Sequence, residues 1–487
     1  MNQDREAATS DRHNPPAPQA YRAGNGPGRQ SAEFLVVLCL SILLFRTFAA
    51  EAYIVPTGSM APTLLGNHRE MDCPNCDFHV AIGLDEQGRG GSPVCPNCGQ
   101  GGLERAPAVS SNGDRVLVQK YLYDVRRPRR WEVAVFHFPG DPSQAYVKRV
   151  VGLPGESLLI QRGDLLFNGT VARKSLREQR ATRILVYDNN FVARDTNRFP
   201  RFRFRRGFPI QKFESGWSAD GTAFVHNPTG PANDRYDWLE YRHWDPHRAR
   251  YSPIYDFNAY NGAEIFGENI VTDLMVAARI STGPEAGLLA VRIDYGADHF
   301  VVELPFGSEK TPLVTRNRRA LEVSNVRGGL NTNANGVLLE ASVMDRRLLI
   351  ALDGELLFDP IDFNDQTVGP WMSDNPIALG TKDGTVRVSD LRIYRDIYYT
   401  NTLRSFPHRA FGVESAYPLG ADEYFVLGDN SAVSDDSRFW PGSPVVPAEL
   451  FLGKPFLVHL PGQAVPLKVF GRSLYWVPDP REIRYIR

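Results

Sequence analysis

At 487 residues with 42% hydrophobic side chains, the chain has enough apolar material for more than one core, which excludes a wholly disordered protein. A formal net charge of -1 supplies no global field for nucleic acid or an anionic surface, so nucleic acid is not expected as a partner. Five cysteines in so long a chain exclude a disulfide-built scaffold.

The first thirty residues are polar and rich in Pro, Gly and Asn, and predict a disordered N-terminus (1–30). Next comes "EFLVVLCLSILLFRTFAAEAYIV". Its strongly apolar part, Phe34 to Phe45, is short for a membrane span, but counting on toward Val55 gives enough length to cross about 30 Å of hydrocarbon. A transmembrane helix is expected over 31–52, with Arg46 near an interface and Cys39 inert inside it; a cleaved export signal is the alternative, since "FAAEA" has the small residues of a cleavage site. Arg5, Arg12, Arg22 and Arg29 precede the segment, and no arginine lies between Thr47 and His68. This bias places the N-terminus in the cytoplasm and everything after the span outside the cytoplasmic membrane.

"CPNC" then occurs twice, at 73–76 and 95–98. Cys73, Cys76, Cys95 and Cys98 match a four-cysteine zinc ribbon over 73–98, with a structural zinc as the expected ligand and paired disulfides as the alternative outside the cytoplasm. Four cysteines leave no open ligand position, so no catalytic metal or other catalytic cofactor is expected.

Short runs such as "DRVLVQKYLY", "WEVAVFHF", "YVKRVVGL" and "SLLIQRGDLLFNG" read as strands of an all-β unit. From about 172 to 400 the texture changes to many short strands spaced by Gly, Asn, Asp and Pro, including "RRLLIALDGELLF", where Asp353-Gly354 is a strong hairpin signal. This predicts an inserted two-sheet sandwich or jelly roll, so the fold class is mainly β. Its phrases "LDGELLFD" and "VRVSDLRIYRDIYY" resemble concanavalin-like, laminin-G-type sandwiches; the resemblance implies a glycan- or protein-binding surface, with a ligand-free sandwich equally compatible. "RFPRFRFRRGF" (198–208) alternates basic and aromatic residues, as in a two-faced strand or a patch resting on anionic headgroups.

Four separated stretches, "RTFAAEAYIVPTGSMAPTL" (46–64), "GDRVLVQKYLY" (113–123), "YVKRVVGLPGESL" (146–158) and "YFVLGDNSAVSDDSRFWPGSPVVP" (424–447), resemble in order the boxes of type I signal peptidases. The resemblance covers about 34–171 and 401–487 and implies a catalytic domain over 53–171 and 401–487 that removes signal peptides from exported preproteins after small residues at an Ala-x-Ala site. It implies Ser59 as nucleophile, Lys148 as general base, Thr57 as an oxyanion donor beside the Ser59 N–H, Ser434 orienting the lysine, and Asp436 with Arg438 as a supporting ion pair. The chemistry is coherent, because a lysine amine desolvated in an apolar strand can act as the base that a serine needs. Taken alone, Lys148 would read as an exposed strand lysine. The chain departs from the family pattern at Ser431, Ala432 and Val433 after GDN and at Ala52 and Tyr53, while Pro56 and Pro62 remain. Preproteins and the lipid bilayer are the expected partners. A surface-binding protein acting through the insert is the competing reading.

Overall fold

A computed structural model describes residues 27–44, 50–460, 467–469, 472–474 and 483–486, apart from 86, 196–198, 207–214, 229–234, 263–264, 266, 286, 308–310, 333–334, 365–372 and 401–409. The chain divides into two units at Ala50.

The first unit carries the helix Pro27–Leu44. It starts inside the stretch expected to be disordered, and Pro27 suits a first helical position, where the missing N–H has no intrahelical role. Residues 1–26 and 45–49, with Arg46, lie outside the described residues. Among the described residues no helix is long and apolar enough to cross a membrane. The expected helical span 31–52 is corrected at its end, because Ala50–Ile54 is a strand. "AEAYI" alternates half-buried Glu51 and Tyr53 with exposed Ala52 and Ile54, which is a strand period and not a helical one.

The second unit is built mainly from antiparallel β-structure. Its largest sheet outside the insert runs in the order Ala50–Ile54, Arg115–Gln119, Phe451–Leu460, Val133–Phe138, Asp141–Gly152, Glu423–Leu427, Val446–Pro447, so the two ends of the sequence are woven into one sheet. The tail of "DRVLVQKYLY" is not strand: Leu122–Val125 makes one helical turn. A smaller sheet holds the hairpin Ser157–Gln161 with Asp164–Phe167. Its turn places Arg162 and Gly163 at φ of 53° and 88°, the left-handed pair that a two-residue hairpin needs. A three-stranded sheet of His68–Asp72, His79–Gly83 and Val109–Ser111 carries the two CPNC knuckles.

The insert is a sandwich of a nine-stranded and a seven-stranded sheet over one shared apolar core. Leu274–Thr282 and Val337–Met344 lie in the first sheet, while Leu288–Tyr295 and Asp298–Pro305, between them in sequence, lie in the second. Asp353-Gly354 turns the hairpin as expected, with both residues at positive φ. Phe202–Arg206 of the basic-aromatic stretch is a strand paired with Asp237–Tyr241, and Arg198, Gly207 and Phe208 lie outside the described residues. At the entry and exit of the insert, buried Lys174 donates to Asp345 and Asp396, both at 2.7 Å. The insert and the remaining sheets form one compact unit from Glu51 onward.

Candidate active site

Ser59 sits in the single 3-10 turn Gly58–Met60 that follows the first strand. Met60, Ala61 and Leu64 are fully buried behind it, so hydrophobic packing fixes the turn from below and leaves the serine at the edge of a groove. Lys148 lies on the strand Asp141–Gly152 and is 4% exposed. Its Nζ donates to Ser59 Oγ at 2.7 Å. Burial pulls the ammonium down to about 8, against Asp436 and Asp435, which favour the charged form. A lysine so placed is poised to exchange a proton with the serine hydroxyl near neutral pH.

The neighbouring loop after Leu427 closes over this pair. Asn430 N donates to the Ser59 carbonyl at 3.0 Å, and Asn430 Nδ2 to the Gly58 carbonyl at 3.0 Å. Asp436 and Arg438 form the expected ion pair at 2.7 Å, both fully buried. The Asp436 carboxylate also accepts from Gly428 N, and Arg438 reaches Ser431 Oγ at 2.9 Å and the Ser431 carbonyl at 3.0 Å. Ser431, one of the departures from the family pattern, is therefore held by the arginine.

Ser434 is fully buried beside Gly428, where a Cβ would overlap Ser434 Oγ and the Ser59 carbonyl. Its Oγ has no hydrogen-bond partner among the described residues, so the structure places it next to the nucleophile's loop without a bond to Lys148. Thr57 is exposed, and its Oγ1 lies 3.4 Å from Ser59 Oγ, at the long limit of a hydrogen bond.

Sequence reasoning missed Asp429 and Arg149. Arg149, next to Lys148 and facing the other way on its strand, donates through Nε and Nη2 to Asp429 at 2.7 and 2.6 Å, and through Nη1 to the Trp131 carbonyl at 2.6 Å. Both side chains are completely buried. Their signal was present in the quoted boxes, "KR" and "GDN", but nothing local joins residues 280 positions apart.

Ser59 and Lys148 open onto a groove of about 860 Å³ lined by Tyr53, Val55, Val135, Tyr146 and Val147, with Tyr260 and Asn261 from the insert. Gln144, Asp85, Arg89 and Asp435 also line it, so apolar side chains near Ser59 and Lys148 are accompanied by charged ones.

The signal peptidase, peptidase S26 family matches residues 106–212 and 379–460, which carry Lys148 and the 428–438 loop. Signal peptidase I of Leptolyngbya laminosa is 29% identical over 175 residues, covering 34% of this chain and 64% of that protein. The chain is similar to the S26 signal peptidases over these two stretches, which lie on either side of the insert's centre. Signal peptidase I of Pseudomonas fluorescens is likewise 29% identical over 149 residues, covering 28% of this chain and 36% of that protein. The aligned part is thus under two thirds of either relative. Among solved structures, the carbohydrate binding module CBM66 from Bacillus subtilis aligns with 37% of the chain and 91% of its own at 11% identity and a TM-score of 0.24, a likeness too slight to carry a ligand across.

Away from the groove, Cys73 and Cys98 hold their Sγ atoms 3.6 Å apart, as do Cys76 and Cys95. All four are buried and lie within 4.8 Å of one another. These separations are far beyond a disulfide bond of about 2.05 Å. Thiolates about 2.3 Å from a tetrahedral zinc would stand about 3.8 Å apart, so the donor set fits that ion.

Proposed function

We propose that this protein is a membrane-anchored serine endopeptidase that removes N-terminal signal peptides from exported preproteins with a Ser59–Lys148 dyad. The observation that carries the reading is the 2.7 Å contact between Lys148 Nζ and Ser59 Oγ at the wall of the groove. In acylation, Ser59 Oγ attacks the scissile carbonyl while neutral Lys148 takes its proton; the amine then returns that proton to the leaving amino group. The Ser59 N–H and the Thr57 hydroxyl stabilise the oxyanion, Thr57 after a small rotation toward the groove. Ser434 orients the amine once substrate has excluded water, and Asp436 with Arg438 holds the loop. A water deprotonated by Lys148 then hydrolyses the acyl-enzyme.

The anchor is the apolar sequence that starts at Phe34 and ends before the strand Ala50–Ile54, and it holds the enzyme to the membrane in which a signal peptide is embedded. The test is incubation of the detergent-solubilised full chain with a preprotein carrying an Ala-x-Ala site, followed by sequencing of the product's N-terminus. Cleavage directly after the second Ala is expected. Intact precursor across several substrates with folded enzyme would sink the assignment.

Cys73, Cys76, Cys95 and Cys98 would hold one structural zinc, which cross-links a loop with little core of its own. Metal analysis of protein purified without chelator should give about one zinc per chain, and Cys95→Ser should abolish it and lower the thermal midpoint. Absence of zinc together with no alkylatable thiol among the four would establish the disulfide form instead.

A further inference from the structure

The insert does not stand clear of the groove. Its segment Asn258–Gly262, "NAYNG", reaches the Ser59 turn and touches it on two sides. Asn258 Nδ2 donates to the Ala61 carbonyl at 3.1 Å, just past the turn. The Tyr260 ring lies against Gly58 and Gly83, where a Cβ would overlap it, and its hydroxyl donates to the Asn67 carbonyl at 2.9 Å. Asn261 and Asn430 pair amide to amide: Asn261 Nδ2 donates to Asn430 Oδ1 at 3.0 Å, and Asn430 Nδ2 donates back to Asn261 Oδ1 at 2.7 Å. The second N–H of Asn430 goes to the Gly58 carbonyl.

This chain of amides has a geometric consequence. The Gly58–Ser59 peptide is planar and trans, so its carbonyl and its N–H point in opposite directions. The Gly58 carbonyl accepts from Ala61 N at 3.1 Å within the turn and from Asn430 Nδ2 at 3.0 Å, so Asn430 supplies the side-chain half of what fixes the direction of the Ser59 N–H. Asn430 can hold that carbonyl in only one orientation while both of its own amide atoms are matched by Asn261, because rotation about its terminal torsion would break three hydrogen bonds together.

We propose that Asn261, supplied by the insert, is a positioning residue for the oxyanion donor of the peptidase, acting through Asn430 on the Gly58–Ser59 peptide, with Tyr260 as the wall that keeps the turn in place. The insert thus forms part of the reaction centre. The inference rests on the peptidase reading, and its test separates the two.

The experiment measures kcat and KM for preprotein cleavage by the full chain and by Asn261→Ala, Asn430→Ala and the double variant, with thermal midpoints beside them. Asn261→Ala should lower kcat about tenfold, with KM within about twofold and the midpoint nearly unchanged, because a misaimed donor weakens the transition state and not the bound substrate. The double variant should be no slower than Asn430→Ala alone, since Asn261 acts through Asn430. Asn261→Asp, which keeps the acceptor and loses the donor, should fall between wild type and Asn261→Ala. Cleaving wild-type enzyme with Asn261→Ala at full kcat would overturn the positioning role and leave the peptidase reading intact; so would single losses that multiply in the double variant. A wild type that cleaves nothing would overturn both.

Discussion

Replacing Lys148 by Met is expected to abolish preprotein cleavage, with kcat/KM falling by about 10³-fold or more, the scale on which a general base contributes. Methionine keeps the length and apolar stem that fill the site, so the fold should survive while the proton acceptor is gone. Ser59→Ala should be equally inactive, and the double variant no worse than either single one, because nucleophile and base work as a unit. Lys148→Arg should not rescue activity, since a guanidinium stays protonated throughout the accessible range. The pH dependence follows from the same group. Burial favours the neutral amine, with the transition near 8. Below that pH the ammonium form prevails and kcat/KM should fall about tenfold per unit; above it the rate should level off. A profile measured from pH 5 to 10 checks this, and a Lys148→Met enzyme within tenfold of wild type would remove lysine from the mechanism.

Asp429→Ala should have the largest effect on stability. It strands Arg149, whose guanidinium is fully buried, without its counter-ion, and breaking one side of such a pair costs about 3–5 kcal/mol. One further contact would go with it, since Thr63 Oγ1 donates to Asp429 at 2.5 Å, while Arg149 keeps its bond to the Trp131 carbonyl. Because Asp429 sits between Gly428 and Asn430, the loop over Ser59 should loosen and cleavage should be lost along with the thermal midpoint. Removing both charges, as Arg149→Met with Asp429→Ala, should be less damaging than Asp429→Ala alone, since no buried charge is left unpaired. Denaturant titration of wild type, Asp429→Ala and the double variant measures the difference. Equal destabilisation by single and double variants would mean that the pair contributes nothing beyond its packing.

Much of the site was legible in the sequence because it is written in short boxes. Ser59 and Lys148 each lie in a contiguous phrase, and Asp436 and Arg438 are two residues apart, so their pairing needs no knowledge of the fold. The hairpin at Asp353-Gly354 was legible for a similar reason, since the turn residues state their own backbone requirement. The end of the N-terminal helix was misplaced because "AAEAYIV" is apolar enough to extend a span on composition, while its strand pairing depends on residues 115–119 far along the chain. Asp429, Asn430, Asn258 and Asn261 were opaque for the same physical reason. Each is a common loop residue whose role exists only in its partner, and the partners lie 169 to 372 positions away.

That spacing also sets an order of events during synthesis. The serine emerges early, Lys148 follows 89 residues later, and Asn430, which pins the carbonyl before the serine, comes 372 residues after Gly58. At about 5–20 residues per second this last interval lasts roughly 20–75 s. Throughout it a nascent chain holds the serine and, in time, the lysine, but not the loop that aligns them. The surroundings of Ser59 are therefore incomplete until nearly all of the chain has been made.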